Sequence, residues 1–565
     1  MSNYLRSLIF EKVIKPIQNI DSLHQHKILS QLHVALNSKK DIYSLMLPLK
    51  SIDYDVTNSI GDMAKNNLDD VFDNVTVGND TVSFNMLRDK YVKTILESNH
   101  SGLAPPLLVD SNKNVIVEFS SPNIAKPFHL GHLRSTIIGN YVANINIYLR
   151  NKVKKINYVG DWGTQFGFIQ LGIEVANISN DEMQTNPIKA LYKAYVAANK
   201  LAKTDPTISE RARETFRQLE FGDSTIYNEW ETFKEYTVQE LEATYKRIGV
   251  IFDEYHWESM YAAKSTNQII QLMEEMQLLK LDDKDRKAVA ISEDRNIPII
   301  KSDGSTLYMT RDIAAAIDRF DKNKFDAMYY VVDNAQSDHF SSLFKILNKM
   351  ELPWANRLEH IKYGRVRGMS TRLGTAVFLE DILNEAREVM KERQICTSTT
   401  KVSLDEIDNS SDILGISGVI IHDLKQKRTK DYEFNWDLIT DMKGNTGIKL
   451  QYTHCRLTNL ELHCGATLTA ECNPSLLKEP VVDDLIILIS KFDEVVLKSY
   501  ERLEPCILTI YLFRLSDAVN KAMKSLRIKD EPSDLASQRL MLFHTSKVIF
   551  AQSMKLLGLI PMERM

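Results

Sequence analysis

Residues Val115 to Ile145 read VIVEFSSPNIAKPFHLGHLRSTIIGNYVANI, and this stretch decides the architecture. Val115-Ile116-Val117 is a short β-branched apolar run, the pattern of a buried strand. Ser-Ser-Pro-Asn follows as a turn, because Pro122 disfavours right-handed helical backbone at the residue before it. Leu133, Ile137, Ile138, Tyr141 and Val142 then recur at helical spacing. Strand, tight loop and helix together aim backbone N–H groups and a positive dipole end at an anion. His129-Leu130-Gly131-His132 lies at that mouth, with two imidazole donors and, at Gly131, no side chain between a nucleotide and the backbone. Two histidines three apart also fit a fragment of a metal site or plain surface polarity. At the head of a strand–loop–helix, however, an HxGH points to adenylyl transfer from ATP.

The rest of the chain sets bounds on that reading. A chain of 565 residues is too long for one core, and three or four domains are expected. Composition is that of a globular protein, 44% apolar and 26% charged, and the formal net charge of −5 gives no global basic field for nucleic acid. Charge is local instead. Between Lys345 and Arg372 there are seven basic residues and two acidic ones, and Lys425, Lys427, Arg428 and Lys430 form a second cluster. Such runs are commonly solvated faces; beside a nucleotide loop they suit phosphate contacts. Cys396, Cys455, Cys464, Cys472 and Cys506 show no CxxC and no zinc-site spacing, so no metal is expected and the thiols read as free. No apolar run is long enough to span a membrane. The N-terminal MSNYLRSLIFEKVIKPIQ, with Glu11 and few arginines, is a poor transit peptide.

Along the chain, Lys155–Val159 reads as a second parallel strand broken by Gly160-Asp161-Trp162-Gly163. Strand and helix alternating at this size begin a doubly wound sheet, which binds nucleotides beyond the carboxyl ends of its strands. Residues from about 171 to 248 turn helical and charged, as an insertion would. The sheet is expected to resume at Ile299-Ile300-Lys301, and Met328–Val332 is another buried strand. Beyond Phe378 helix follows helix, and residues 447–565 read as an all-α bundle.

SPNIAKPFHLGHLRSTIIGN resembles the ATP-binding signature of the class I aminoacyl-tRNA synthetases in its arginyl form. Further arginyl-like blocks follow in order: YVGDWGTQFG at 158–167, KSDGSTLYMTRDIAAA at 301–316, YVVDNAQSDHF at 330–340, GRVRGMSTRLG at 364–374, LQYTHCRL at 450–457 and MKLLGLIPMERM at the end. The last two hundred residues are most similar to the mitochondrial branch. The resemblance implies an α/β doubly wound, Rossmann-like catalytic domain (109–360) with a connecting insertion at about 171–258. It implies an N-terminal add-on α+β domain (1–108) that contacts the tRNA elbow. Signature-loop and stem-contact helices (361–446) and a C-terminal all-α anticodon-binding bundle (447–565) complete it. The implied reaction takes ATP with Mg2+, L-arginine and tRNA(Arg) to arginyl-tRNA, AMP and pyrophosphate, in a monomer, in the mitochondrial matrix or alternatively the cytoplasm.

In that reading His129 and His132 stabilise charge on the α-phosphate, with Gly131 and His339 also at the nucleotide. The arginine carboxylate is already ionised at neutral pH, so preorganised donors rather than a general base are needed. The family's mobile lysine-rich loop corresponds to Gly368-Met369-Ser370-Thr371-Arg372, which has lost both lysines; Met369, Ser370, Thr371 and Arg372 remain, and Lys126 stands where the family compensates. The resemblance puts Glu118 and Asp312 on the guanidinium, where two carboxylates suit fork geometry. It adds Tyr308 and Gln336 to the polar wall and Asn123 at the α-amino group. Glu118 has independent support as a carboxylate at a strand's carboxyl end. Asp312 reads equally as the N-cap of the alanine-rich helix that follows. Gln451, Tyr452 and Arg456 suit contact with unpaired bases. Two rivals stand: a nucleotidylyltransferase sharing the HxGH, and a catalytically dead relative kept for RNA binding.

Overall fold

Val115, Val117 and Phe119 enter one apolar cluster while Ile116 enters another, so the central strand is buried on both faces. Helices therefore cover the sheet on both sides, as its unbroken apolar run predicts. The computed structural model describes residues 2–17, 21–37, 41–49, 59–64, 71–100, 102–108, 111–124, 128, 130–221, 223–302, 306–368, 378–397, 402–441 and 444–565.

The N-terminal domain carries an antiparallel sheet of β1 (His33–Asn37), β2 (Ile42–Pro48), β3 (Asn74–Val77) and β4 (Thr81–Leu87), ordered β1-β2-β4-β3. β2 and β4 alternate buried and half-buried positions, the pattern of a sheet with one covered face. The domain docks on the C-terminal bundle through partly buried polar contacts. The Tyr43 hydroxyl donates to Asp483 at 2.8 Å and Arg88 Nε to the same carboxylate at 2.9 Å.

The catalytic sheet is parallel: β5 (Asn114–Glu118), β6 (Lys152–Val159), β7 (Glu254–Trp257), β11 (Ala327–Tyr330) and β12 (Leu358–His360) lie in the order β12-β11-β5-β6-β7. The chain builds outward from β5 to β7, then returns to the other side of β5 with β11 and β12. The order reverses between β5 and β11, and a crevice opens there beyond the carboxyl ends. The helix Leu130–Tyr148 joins β5 to β6 and begins at that crevice.

Between β6 and β7 five helices fill Thr164–Arg247. Residues 254–257, within the span expected for the insertion, pair with β6 as the edge of the parallel sheet. One sequence expectation is overturned. Arg295–Ile300 does not resume the parallel sheet; it is β10, hydrogen-bonded antiparallel in a separate sheet with β9 (Lys287–Ser292) and β8 (Leu279–Leu281). A short apolar run does not say which neighbours it will pair with, and the Ser292–Arg295 turn closes a local hairpin first. Downstream, β13 (Val366–Arg367) pairs parallel with β14 (Tyr432–Glu433). The helices from Gly447 to Leu556 form the C-terminal bundle, whose apolar core is continuous with that of the N-terminal domain and the face of β5 bearing Val115.

Candidate active site

The loop after β5 is strained and held from four sides. Ser120 and Ser121 adopt φ of 74° and 48°, left-handed backbone that serine populates at a cost of about 1–3 kcal/mol each. Ser135 Oγ, from the helix that follows, accepts from Ser120 N at 2.9 Å and donates to the Val331 carbonyl beyond β11 at 2.7 Å. Asn157 Oδ1 accepts from Ser121 N at 3.1 Å, and Tyr245 of the insertion meets Ser120 Oγ at 2.6 Å. The Pro122 effect thus appears as left-handed rather than extended backbone at Ser121.

Asn123 bridges in parallel to Gly160, with Ile124 N donating to the Gly160 carbonyl at 2.9 Å. A Cβ on Gly160 would stand 2.3 Å from Asn123 Oδ1 and 3.5 Å from Glu258 Oε1. Two acceptors therefore converge over a bare backbone. Asp161, buried next door, accepts from Ser259 N at 3.0 Å and from Ser259 Oγ at 2.6 Å, which anchors the turn carrying Glu258.

Three carboxylates meet across the crevice. Glu118, at the end of β5, is buried against Arg319, itself buried on the helix Tyr308–Asn323. Asp312 on the same helix accepts from His339 Nε2 at 2.6 Å. Glu258 lies 3.5 Å from Arg311, whose guanidinium stacks over the Tyr308 ring at 4.7 Å. Burial pushes the Glu258 carboxyl up to about 7; Arg311 opposes this, and the charges of Asp312 and Asp161 add to it. Burial also raises Glu118, with Arg319 opposing and Asp312 assisting. Burial works against a proton on His339, yet the Asp312 hydrogen bond and charge outweigh it and lift the imidazole above its usual value. Carboxyls that raise one another in this way suit a cation between them.

Gly131 and His132 occupy the first turn of Leu130–Tyr148. The Phe128 ring lies 5.5 Å from that of His132, and the Tyr363 hydroxyl donates to the Gly131 carbonyl at 3.3 Å. Asp333, Asn334 and Ala335 after β11 face Gly364, Arg365 and Arg367 across an open cavity. Gly368 closes the described part of the loop at φ 71°. A side chain there would meet strained backbone, which gives a physical reason for glycine at this position.

This geometry fits a nucleotide-dependent enzyme that handles a cationic substrate, and the relatives agree. Residues 92–436 match the family model described as tRNA synthetases class I (R), catalytic domain, and residues 450–565 match a DALR anticodon binding domain. The chain belongs to the arginyl-tRNA synthetases. It is 40% identical over 507 residues to a probable mitochondrial arginine–tRNA ligase of Homo sapiens, covering 88% of this chain and 87% of that one. A probable cytoplasmic arginine–tRNA ligase of Dictyostelium discoideum is 37% identical over 591 residues, covering 98% and 100%. The arginyl-tRNA synthetase of Thermus thermophilus shares the fold, with a TM-score of 0.81 at 19% identity over the full length of both chains. Both the doubly wound catalytic domain and the helical anticodon-binding domain read from the sequence are therefore present, and the protein is an aminoacyl-tRNA ligase that uses ATP.

Not every expected site residue of this synthetase has the place foreseen. Lys126, His129, Met369, Ser370, Thr371 and Arg372 lie outside the described residues. Asp312 lies within electrostatic reach of both Glu118 and Glu258, Tyr308 packs on Arg311 beside Glu258, and Asn123 meets Glu258 over Gly160; Gln336 is exposed, beyond β11. His339 is hydrogen-bonded to Asp312. Asp312 is not an N-cap: its helix starts at Tyr308, with Leu307 in the capping position. Gln451 is corrected outright as a tRNA contact. It is 0% exposed, donates to Ser417 Oγ at 2.9 Å and the Ile560 carbonyl at 2.8 Å, and accepts from Met562 N at 3.0 Å. Its amide is wholly used in tying down the C-terminal segment. Tyr452, by contrast, is 48% exposed, with the Arg456 guanidinium 5.7 Å from its ring. Arg319, Glu258 and Arg311 were missed. Arg311 adjoins Asp312 in sequence and could have been suspected; Arg319 and Glu258 reach the site only through folding.

Proposed function

We propose that this synthetase forms arginyl-adenylate in the crevice between β5 and β11 and transfers arginine to tRNA(Arg). The observation that carries this reading is the convergence of Glu118, Asp312 and Glu258 beside the N-terminus of Leu130–Tyr148. One end of the crevice suits a guanidinium and an ammonium; the other suits phosphates. Asp312 takes the guanidinium, with Tyr308 and Gln336 completing the wall, and Glu118 shapes the charge behind them through Arg319. The α-ammonium fits over Gly160, between Asn123 Oδ1 and Glu258. In this reading the arginine carboxylate turns toward MgATP, where His132, the backbone at Gly131, and by resemblance His129, Lys126 and Arg372 stabilise charge at the α-phosphate and departing pyrophosphate.

Tyr452, exposed beside the half-buried Arg456, offers a stacking ring to an unpaired base of the anticodon arm. The N-terminal domain, fixed to the bundle, contacts the tRNA elbow. The enzyme is read as a monomer, and light scattering behind size-exclusion chromatography tests that. A mitochondrial site of action draws support from the human relative; the cytoplasmic Dictyostelium relative keeps the alternative open, and a fluorescent fusion decides between them. The central test is arginine-dependent exchange between ATP and pyrophosphate in the presence of tRNA(Arg). Exchange is expected, and His132→Ala should reduce it by about 30- to 1000-fold while tRNA affinity holds. No exchange with arginine under any tRNA condition sinks the proposal.

A further inference from the structure

The helix Ser224–Arg247 of the insertion buries Ile226, Trp230, Phe233, Thr237, Leu241 and Tyr245, a stripe at intervals of three and four residues. Its two ends hold different loops of the active site. The Tyr245 hydroxyl meets Ser120 Oγ at 2.6 Å and accepts from Asn157 Nδ2 at 3.0 Å, which fixes the loop after β5. Trp230 Nε1 donates to the Asp161 carbonyl at 3.1 Å, which fixes the GDWG turn after β6. Lys234 stands one helical turn beyond Trp230. Its Nζ lies 4.0 Å from the Trp230 ring centre, 4.5 Å from that of Trp257 and 3.6 Å from Asp161 Oδ2. Two aromatic faces and one carboxylate therefore compensate an ammonium drawn in from solvent.

Asp161 divides its carboxylate between this lysine and the turn after β7. Oδ1 accepts from Ser259 N at 3.0 Å, and Oδ2 accepts from Ser259 Oγ at 2.6 Å while facing Lys234. Glu258 is bracketed as a result: Trp257 before it packs on Lys234, and Ser259 after it is tied to Lys234 through Asp161. Burial pushes the Asp161 carboxyl up, and the Ser259 bonds and the Lys234 charge oppose that. Glu258 in turn faces Arg311 at 3.5 Å and the charge of Asp312 from the helix Tyr308–Asn323, and the charge of Asp161 from the loop after β6. Glu220, at the end of the helix Pro206–Glu220, acts on Arg311. Two carboxylates, Asp161 and Glu258, thus stand in a row with one cation behind each, Lys234 and Arg311.

We propose that Lys234 is a positioning residue for the α-ammonium of the amino acid: packed on Trp230 and Trp257, it balances the buried Asp161 carboxylate, so that Asp161 fixes the Trp257–Ser259 turn and leaves Glu258 to meet the ammonium. The proposal rests on the arginine-activation reading above. It gives the GDWG turn a divided role, with Gly160 leaving room for the ligand and Asp161 joining the site to the insertion. Without Lys234 the Asp161 charge acts unopposed on Glu258, and an unbalanced neighbouring carboxylate favours the protonated form by about one pH unit.

The test uses the full chain as wild type, Lys234→Met, Lys234→Arg, Asp161→Asn and the double variant Lys234→Met/Asp161→Asn. Arginine affinity is followed by calorimetry between about pH 6 and about pH 8.5, and the KM values for arginine and ATP are read from exchange in the presence of tRNA(Arg). Lys234→Met should move the midpoint of arginine binding up by about one pH unit and raise the arginine KM about fivefold at neutral pH, with the ATP KM within about twofold of wild type. By about pH 8.5 that deficit should nearly close, because Glu258 is then ionised again. Lys234→Arg, which keeps the charge, should keep the midpoint. Asp161→Asn, which strands no cation-free carboxylate, should move the midpoint downward, and in the double variant it should reverse the upward shift. A merely structural lysine would raise both KM values at every pH and leave the midpoint in place. That pattern, or a midpoint that Asp161→Asn fails to lower in either background, overturns the inference. Wild-type enzyme with no arginine-dependent exchange overturns the function reading and this inference with it.

Discussion

Glu118 and Arg319, 201 residues apart in the chain, form a buried ion pair at the carboxyl end of β5. The Arg319 guanidinium also lies over the Tyr158 ring at 4.8 Å, so the pair is enclosed by aromatic side chains of the site. Removing one partner leaves the other charge buried without compensation. Arg319→Met should cost about 3–5 kcal/mol of folding stability, and Glu118→Gln in the same chain should recover a large part of it. Urea unfolding of the two single variants and the double variant reads the coupling; strictly additive losses would deny the pairing any energetic role.

Asp312 faces the crevice with only His339 as a partner among the described hydrogen bonds. Asp312→Asn keeps shape and deletes charge, and because Asp312 is not an N-cap the helix should be spared. We expect a loss of about 2–5 kcal/mol in kcat/KM for arginine, with ATP binding little changed. Citrulline, the neutral isostere, should lose far less as a competitive inhibitor. Equal losses for both ligands would remove Asp312 from guanidinium recognition.

Arginine affinity should rise with pH through neutrality. Glu258, raised to about 7, must lose its proton to hold a cation, and the ionised fraction grows as pH passes that value. His339, raised by Asp312, competes for that carboxylate while protonated and lets go as pH increases. Both effects have the same sign. Glu258 also carries a stability consequence: the folded state binds a proton that the unfolded state releases near pH 4.5, so its contribution to stability falls between pH 4.5 and about 7. Calorimetric titration with arginine between about pH 6 and about pH 8.5 should show tightening in wild type and a flatter profile in Glu258→Gln. A flat wild-type profile would contradict both assignments.

Gly160→Ala introduces a Cβ into the space taken by Asn123 Oδ1, 2.3 Å away. The Asn123 amide must move, so the KM for arginine should rise by about tenfold or more, while ATP binding and thermal stability change little. An unchanged arginine KM would mean that Asn123 does not meet the substrate.

Neighbouring residues on the first helix of the bundle should part company. Gln451→Ala strands the buried partners Ser417 and Met562 N, and should cost about 1–3 kcal/mol of stability. Tyr452→Ala should leave the melting temperature near wild type and weaken tRNA(Arg) by about 1–3 kcal/mol, as loss of a stacking ring does. Filter binding and thermal melts on both variants check the split.

The local signals were strong where chemistry depends on short stretches of chain. The β-branched run at Val115–Val117 announced a buried strand, and the helical periodicity after HLGH announced the helix Leu130–Tyr148. Glycine at 368 declared the missing lysine. Those features follow from steric limits and side-chain periods within a few residues, so one sequence suffices to read them. What β10 pairs with, where the helix before Asp312 begins, and whether Gln451 faces tRNA or the core were settled only by tertiary packing. The Glu118–Arg319 pair, the approach of Glu258 to Asn123 and the Lys234–Asp161 link join residues far apart in the chain. Each is created by burial, which decides at once which charges must find a partner and which side chains remain to meet a ligand.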